Sequence, residues 1–373
     1  MLFAGFFMKN MVKYLLWGDS MKKINSLSLC FTFAGCFLGA GYVSGQELLQ
    51  FFSSFGKLGY AGLFLAVMLQ VIFGILLIRL ANKTGIFEMD RVVIPWEKPL
   101  LRNVFGFLQA FLLFGIFVIM SAGTGALCEQ VFSLPFWVGS LVICAITALL
   151  AIKGVGAMVK VFSLFVPVLV AVTMGISAYS LIKYGFPEIS FVKSGENPLL
   201  SNWLVSAFTF VSYNIFGSIG ILTLAGKGIN KKSTVFAGVS SGGMLLLVIA
   251  LGILFSISSF GGSAEKELPM LFVAEEISVI LGYVYAFLLF GGMLGTSVSS
   301  VVALENFMEV KSEKIRSKRI FTVISLCVMC FLMSLIGFSD LVGFIYPVFG
   351  YLGFAALVLI VVNYLGSNSC RRK

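Results

Sequence analysis

Ten apolar runs, each long enough to cross a bilayer as a helix, constrain this chain more than any other feature. They fall at 26–50, 58–80, 103–127, 134–152, 156–182, 202–226, 234–257, 278–307, 319–338 and 342–365. A spanning helix needs about 20 residues, and each run supplies roughly that many. Barrel strands would alternate polar and apolar residues over about ten positions, and these runs do not. Composition agrees, with 59% hydrophobic and only 11% charged residues, too few polar groups to cover a water-soluble particle. The sequence predicts an all-α, polytopic membrane protein.

Charge sets its orientation. With the amino terminus inside, the inner segments carry 22 lysines and arginines and the outer loops carry 4. That bias predicts cytoplasmic termini in a multi-pass protein of the cell membrane. It also accounts for the net charge of +10 without any nucleic-acid surface. The expected organisation is a cytoplasmic tail at 1–25, five helices at 26–182, an extracellular loop at 183–201, five helices at 202–365 and a tail at 366–373. Residues 1–20 do not read as a cleavable signal, because Lys9, Lys13, Lys22 and Lys23 surround short apolar patches. The run MKKINSLSL from Met21 looks like a natural amino terminus, which makes those twenty residues an extension or a cytoplasmic tail.

Histidine is absent, which excludes a Ser-His triad, an HExxH zinc site and a histidine proton relay. The seven cysteines are scattered through apolar segments and predict buried free thiols. GVSSG at Gly238–Gly242 matches a hydrolase nucleophile pattern, but it lies inside the seventh segment of a chain without histidine. GKGINKKS near Gly226 lacks the spacing of a phosphate-binding loop. No enzyme, no catalytic residue and no cofactor is expected. A channel lacks a pore-lining charge ring.

Two segments are not ordinary. The first reads AGCFLGAGYVSGQE from Ala34 to Glu47, with Gly35, Gly39, Gly41 and Gly45. The sixth reads FVSYNIFGSIG from Phe210 to Gly220. Glycine-dense, polar stretches at the first helix of each half predict an inverted repeat with broken helices around a midplane site.

This plan looks like the LeuT fold of the amino acid–polyamine–organocation superfamily, and GAGYVSGQE resembles the YkvI-type bacterial membrane proteins. The resemblance covers residues 24–366 and implies a ten-helix 5+5 inverted repeat with breaks in helices 1 and 6. It implies that the carbonyls of Gly35 and Leu38 line a sodium site, while the N–H groups of Ala40 and Gly41, next to Gly39, receive a substrate carboxylate. Where the family's second sodium site places an asparagine this chain has Tyr42, so one coupling ion is implied. The stretch GGMLGTSVSSVV on helix 8 offers two ligand sets at helical i, i+3, i+4 spacing. One is the Met293 carbonyl with Thr296 and Ser297; the other is the Thr296 carbonyl with Ser299 and Ser300.

Ser44, Ser121, Thr124, Ser212, Tyr213 and Asn214 are candidate substrate contacts. Glu47 in the outer half of helix 1 is costly to ionise in lipid, so it is expected to bind a substrate ammonium or couple a proton. Lys160 offers the rival proton mechanism. The expected function is secondary transport of a small amino-acid-like or zwitterionic solute with one sodium ion. The alternatives are proton coupling, or a non-transporting sensor or structural protein. ELPMLFVAEE, before helix 8, resembles the extracellular lid hairpin of this fold.

Overall fold

The computed structural model describes residues 25–369 apart from 88, 95, 97–98, 154, 186–196, 228, 230 and 312–318. The expectations for residues 1–20, and for most of the 183–201 loop, lie outside the described residues. Among the described residues the regular structure is helical.

The first apolar run folds as three pieces, α1 (Ser26–Phe37), α2 (Ala40–Val43) and α3 (Gln46–Phe52). Then come α4 (Lys57–Thr84), a short α5 (Met89–Val93), α6 (Pro99–Phe132), α7 (Phe136–Lys153) and α8 (Val155–Tyr184). The second half holds α9 (Trp203–Gly226), α10 (Lys232–Ser259), α11 (Pro269–Ile277), α12 (Val279–Lys311), α13 (Arg319–Ser334) and α14 (Phe338–Ser369). All ten apolar runs are therefore helical. Among the described residues seven helices are long and apolar enough to span on their own, while α1, α7 and α13 are shorter apolar helices. The last helix runs beyond the expected limit at 365, to Ser369.

The packing follows a pairwise rule. α1 packs on α10 as α9 packs on α4, α8 on α12 as α14 on α6, and α7 on α6 as α13 on α12. α6 with α12, α4 with α10 and α7 with α13 each map onto themselves. Exchanging segments 1–5 for 6–10 maps these contacts onto one another, as an internal two-fold repeat requires, while the close pairing of α9 with α14 has no comparable counterpart between α1 and α8.

Close approach explains the GVSSG run. A Cβ on Gly238 would stand 2.8 Å from the Ser26 carbonyl and 2.8 Å from Leu29 Cβ, and one on Gly242 would stand 2.8 Å from the Cys30 carbonyl. These glycines let α10 seat directly on α1, the usual work of small residues four apart in membrane helices.

The sixth segment corrects the sequence reading. α9 is continuous from Trp203 to Gly226, and no residue in it has a positive φ. Two of its polar side chains bond to the helix itself without unwinding it, Asn214 Nδ2 donating to the Phe210 carbonyl at 3.0 Å and Ser218 Oγ to the Ile215 carbonyl at 3.1 Å, while the Thr209, Ser212 and Tyr213 hydroxyls are buried without a partner. Glycine permits a break but does not impose one.

The thiols form a group that the reading of scattered cysteines passes over. Cys327 and Cys330 stand three apart on α13, and Cys330 Sγ lies 3.9 Å from Cys144 Sγ on α7. Six cysteines are free among the described residues, and Cys370 lies outside them.

Candidate functional site

The site begins with a short gap in the first segment. α1 ends at Phe37, and Leu38 and Gly39 are not helical. Leu38 N–H reaches the Ala34 carbonyl and Gly39 N–H turns to Phe37, so neither the Gly35 nor the Leu38 carbonyl receives a helical N–H bond. The N–H groups of Ala40 and Gly41, in the first turn of α2, likewise have no helical acceptor. These are the backbone groups that a broken helix exposes, carbonyl oxygens for a cation on one side and donors for an acceptor on the other.

A second interruption follows at Ser44 and Gly45, where Gly45 takes φ 87° in the left-handed region. This one is closed. Ser44 Oγ donates to the Gly41 carbonyl at 2.9 Å, and Tyr285 Oη from α12 donates to the Val43 carbonyl at 2.8 Å. Met270 N–H, from the α11 hairpin, donates to the Ser44 carbonyl at 2.9 Å. Thr173 on α8 bonds to Tyr285 Oη at 3.0 Å and fixes it in turn. Tyr42 Oη donates to the Leu246 carbonyl on α10 at 3.1 Å. The chain thus has two breaks with opposite character, one with open backbone and one locked by its neighbours.

Between them lies Glu47. Its position in the first turn of α3 carries Oε2 back to 3.2 Å from where a Cβ on Gly41 would stand. The Tyr346 hydroxyl from α14 lies 3.6 Å from the same point and Met120 Cε from α6 lies 3.9 Å from it. The Asn214 side chain on α9 stands beside the Glu47 carboxylate. Tyr346 stacks flat on Tyr213, with ring centroids 4.7 Å apart and 4° between planes. The first segment, α6, α9 and α14 therefore converge on one carboxylate.

The helix 8 candidates sit beside this gap. Tyr285 meets Val43, and a Cβ on Gly292 would stand 3.7 Å from Ala40 Cβ, so α12 runs antiparallel along the break. One turn beyond Gly292 come Thr296 and Ser297. Their hydroxyls donate to their own helix, Thr296 to the Gly292 carbonyl at 3.0 Å and Ser297 to the Met293 carbonyl at 2.8 Å. Ser299 donates to the Thr296 carbonyl at 2.8 Å, and Ser300 is buried. Donation of this kind uses the hydrogen and leaves oxygen lone pairs for a cation.

Not every predicted substrate contact gathers here. Glu47, Gly41, Tyr213 and Asn214 do. Ser121 faces α7 instead, where Ser140 Oγ donates to the Ser121 carbonyl at 3.1 Å and Cys144 Sγ lies 3.3 Å from Ser121 Oγ. A serine in the middle of a long helix has no sequence signal for the face it takes. Thr124 donates to the Met120 carbonyl and contacts Met293 Sδ at 3.6 Å, so it joins α6 to α12. Ser212 turns toward α14, where a Cβ on Gly353 would stand 2.6 Å from its hydroxyl. The side chain of Lys160 lies outside the described residues.

Tyr346, Met120, Tyr285 and Met270 are site residues that the sequence reading missed. Their types are common in apolar helices, and only the tertiary fold brings them to residues 41–47.

No family model matches the sequence. The chain is 25% identical over 357 residues to the membrane protein YkvI of Bacillus subtilis (strain 168), covering 94% of this chain and 97% of YkvI. It is 27% identical over 358 residues to YyaD of the same strain, covering 93% and 98%. Among solved structures it resembles MhsT in complex with L-phenylalanine, with TM-score 0.64 and 16% identity over 94% of this chain and 93% of that one. It also resembles a Na+-coupled sialic acid symporter, with TM-score 0.60 and 10% identity over 97% and 86%. The fold of this chain is the LeuT fold.

Proposed function

We propose that the protein is a secondary active transporter of a small amino-acid-like or zwitterionic solute, coupled to one sodium ion. The observation that carries this reading is the gap at Leu38–Gly39, which leaves the Gly35 and Leu38 carbonyls and the Ala40 and Gly41 N–H groups without helical partners inside the first apolar segment. Open backbone within a membrane span is tolerated only where it is buried in protein or lines a water-filled cavity, where such groups can meet a ligand. The sodium ion takes the Gly35 and Leu38 carbonyls with oxygens from Thr296 and Ser297 or Ser300, and the Met293 carbonyl stands in the same turn. The substrate lies against Gly41, Glu47, Tyr213 and Asn214. MhsT, solved with L-phenylalanine, and the Na+-coupled sialic acid symporter share the fold, which supports the class of function.

The protein sits in the cytoplasmic membrane with both termini inside, as the one-sided charge implies. Alternating access comes from movement of the first, second, sixth and seventh segments against the rest. Purified protein in liposomes, loaded with an unlabelled mixture of amino acids and their decarboxylated amines under an inward sodium gradient, tests the reading by exchange of labelled solute. Sodium-dependent exchange above that of protein-free vesicles is expected. Exchange that follows a pH gradient and ignores sodium favours the proton mechanism with Glu47 or Lys160, and no exchange across the panel overturns transport.

A further inference from the structure

Resting on the transporter reading above and narrowing its solute to the amino-acid-like amine rather than the zwitterion, we infer that the substrate is recognised as a cationic amine and needs no carboxylate of its own, because Glu47 already holds one beside Gly41. The chain supplies its own comparison. Among the described residues the buried carboxylates are those of Glu47, 5% exposed, and Glu305, 2% exposed. Glu305 is paired: Arg319 donates to both its oxygens, through Nε and through Nη2 at 3.3 Å. Glu47 has no lysine or arginine against it among the described residues, only the Asn214 side chain and the nearby Tyr42 and Tyr346 hydroxyls. A carboxylate buried at membrane depth stays ionised only when a cation meets it, and otherwise holds its proton until one arrives. Where the protein provides none, the cation comes from outside.

The walls of the site suit an ammonium group. Tyr213 and Tyr346 form a parallel stack beside the carboxylate, and the Tyr213 hydroxyl is buried without a hydrogen-bond partner. Aromatic faces and a carboxylate together receive alkylammonium ions, through ring electrostatics and direct charge. The same geometry works against a second anion. A substrate carboxylate seated on the Gly41 N–H would meet Glu47, whose Oε2 flanks Gly41, within the few ångströms over which like charges disfavour each other. An amino acid is therefore the poorer ligand and its decarboxylated amine the better one.

Matched pairs test this directly: phenethylamine against phenylalanine, isoamylamine against leucine, and cadaverine against lysine. Each is titrated into purified protein in sodium buffer while the melting temperature is followed. In at least one pair the amine is expected to raise the melting temperature, with the parent amino acid needing about tenfold more, or failing. Glu47→Gln should abolish the amine effect and make the parent amino acid the better ligand of the pair, while any sodium-dependent stabilisation persists and certifies the fold. Gly41→Ala, which crowds the carboxylate from the other side, should weaken the amine without reversing the order. Amino acids that outperform their amines in the wild type overturn the inference, as does a panel in which no amine acts. Loss of the sodium effect in Glu47→Gln with the amine effect intact also overturns it, since Glu47 would then be an ion ligand. Binding is read here without flux, so amine binding without exchange in liposomes sinks the transport reading alone.

Discussion

Tyr285 is a single hydroxyl on which the shape of the first segment turns. It is fully buried, donates to the Val43 carbonyl at 2.8 Å and is held by Thr173 at 3.0 Å. Tyr285→Phe removes the donor and leaves a buried carbonyl without a partner, at a cost of about 1–3 kcal/mol. A fall in melting temperature is the expected result, and Thr173→Val should add little to it because the two act through one bond. Full additivity of the two substitutions would contradict the shared role. Residues of this kind set the limit of what the sequence makes legible. The glycines of AGCFLGAGYVSGQE announce a break, since Gly45 needs a conformation that glycine adopts easily. Nothing in the local pattern announces that a tyrosine some 240 positions later completes it.

At the scale of elements, the α11 hairpin is the part that ties the first segment to α14. It touches the first segment through Met270 N–H to Ser44 and the start of α14 through Glu267 Oε2, which accepts from Ser339 N–H at 2.6 Å. Gln46 Nε2 also donates to Ser339 Oγ, so α3, α11 and α14 meet at one point. Burial pushes the Glu267 carboxyl above the usual carboxylate range, against the Ser339 N–H that favours its charge, and Asp340 and Glu129 add to the rise. The folded state therefore holds that proton more tightly than the unfolded chain. Its contribution to stability is present at pH below the usual carboxylate range and is lost as pH rises through the raised value. Hairpin protection should be greater at mildly acidic pH than at neutral pH, and Glu267→Gln should flatten the difference. Proteolysis at the 260–268 loop across pH measures it, and an unchanged pH profile in the variant would refute the assignment.

Elements were the most legible level overall. Apolar length alone located ten helices, because a lipid-facing helix has no other way to satisfy its backbone. It misjudged α9, where glycine content resembled that of the first segment. The difference lies in the backbone: α9 keeps its helix unbroken from Trp203 to Gly226, whereas the first segment opens its Val43 and Ser44 carbonyls to donors from α12 and α11.

For the whole molecule, the open gap at Leu38–Gly39 lies next to Ala40, which faces Gly292 of α12, and two residues before Gly41, which the carboxylate of Glu47 flanks. The proposed mechanism requires that this gap take up a sodium ion. The direct measurement is the melting temperature of purified protein in sodium and in potassium at equal ionic strength, for the wild type and for Thr296→Ala, Ser297→Ala and Ser300→Ala. A ligand that binds only the folded state stabilises it by roughly 2.7 kcal/mol at a hundredfold excess over its dissociation constant. A sodium-specific rise that at least one of these substitutions removes is the predicted result. Equal melting temperatures in the two salts for the wild type would contradict sodium coupling.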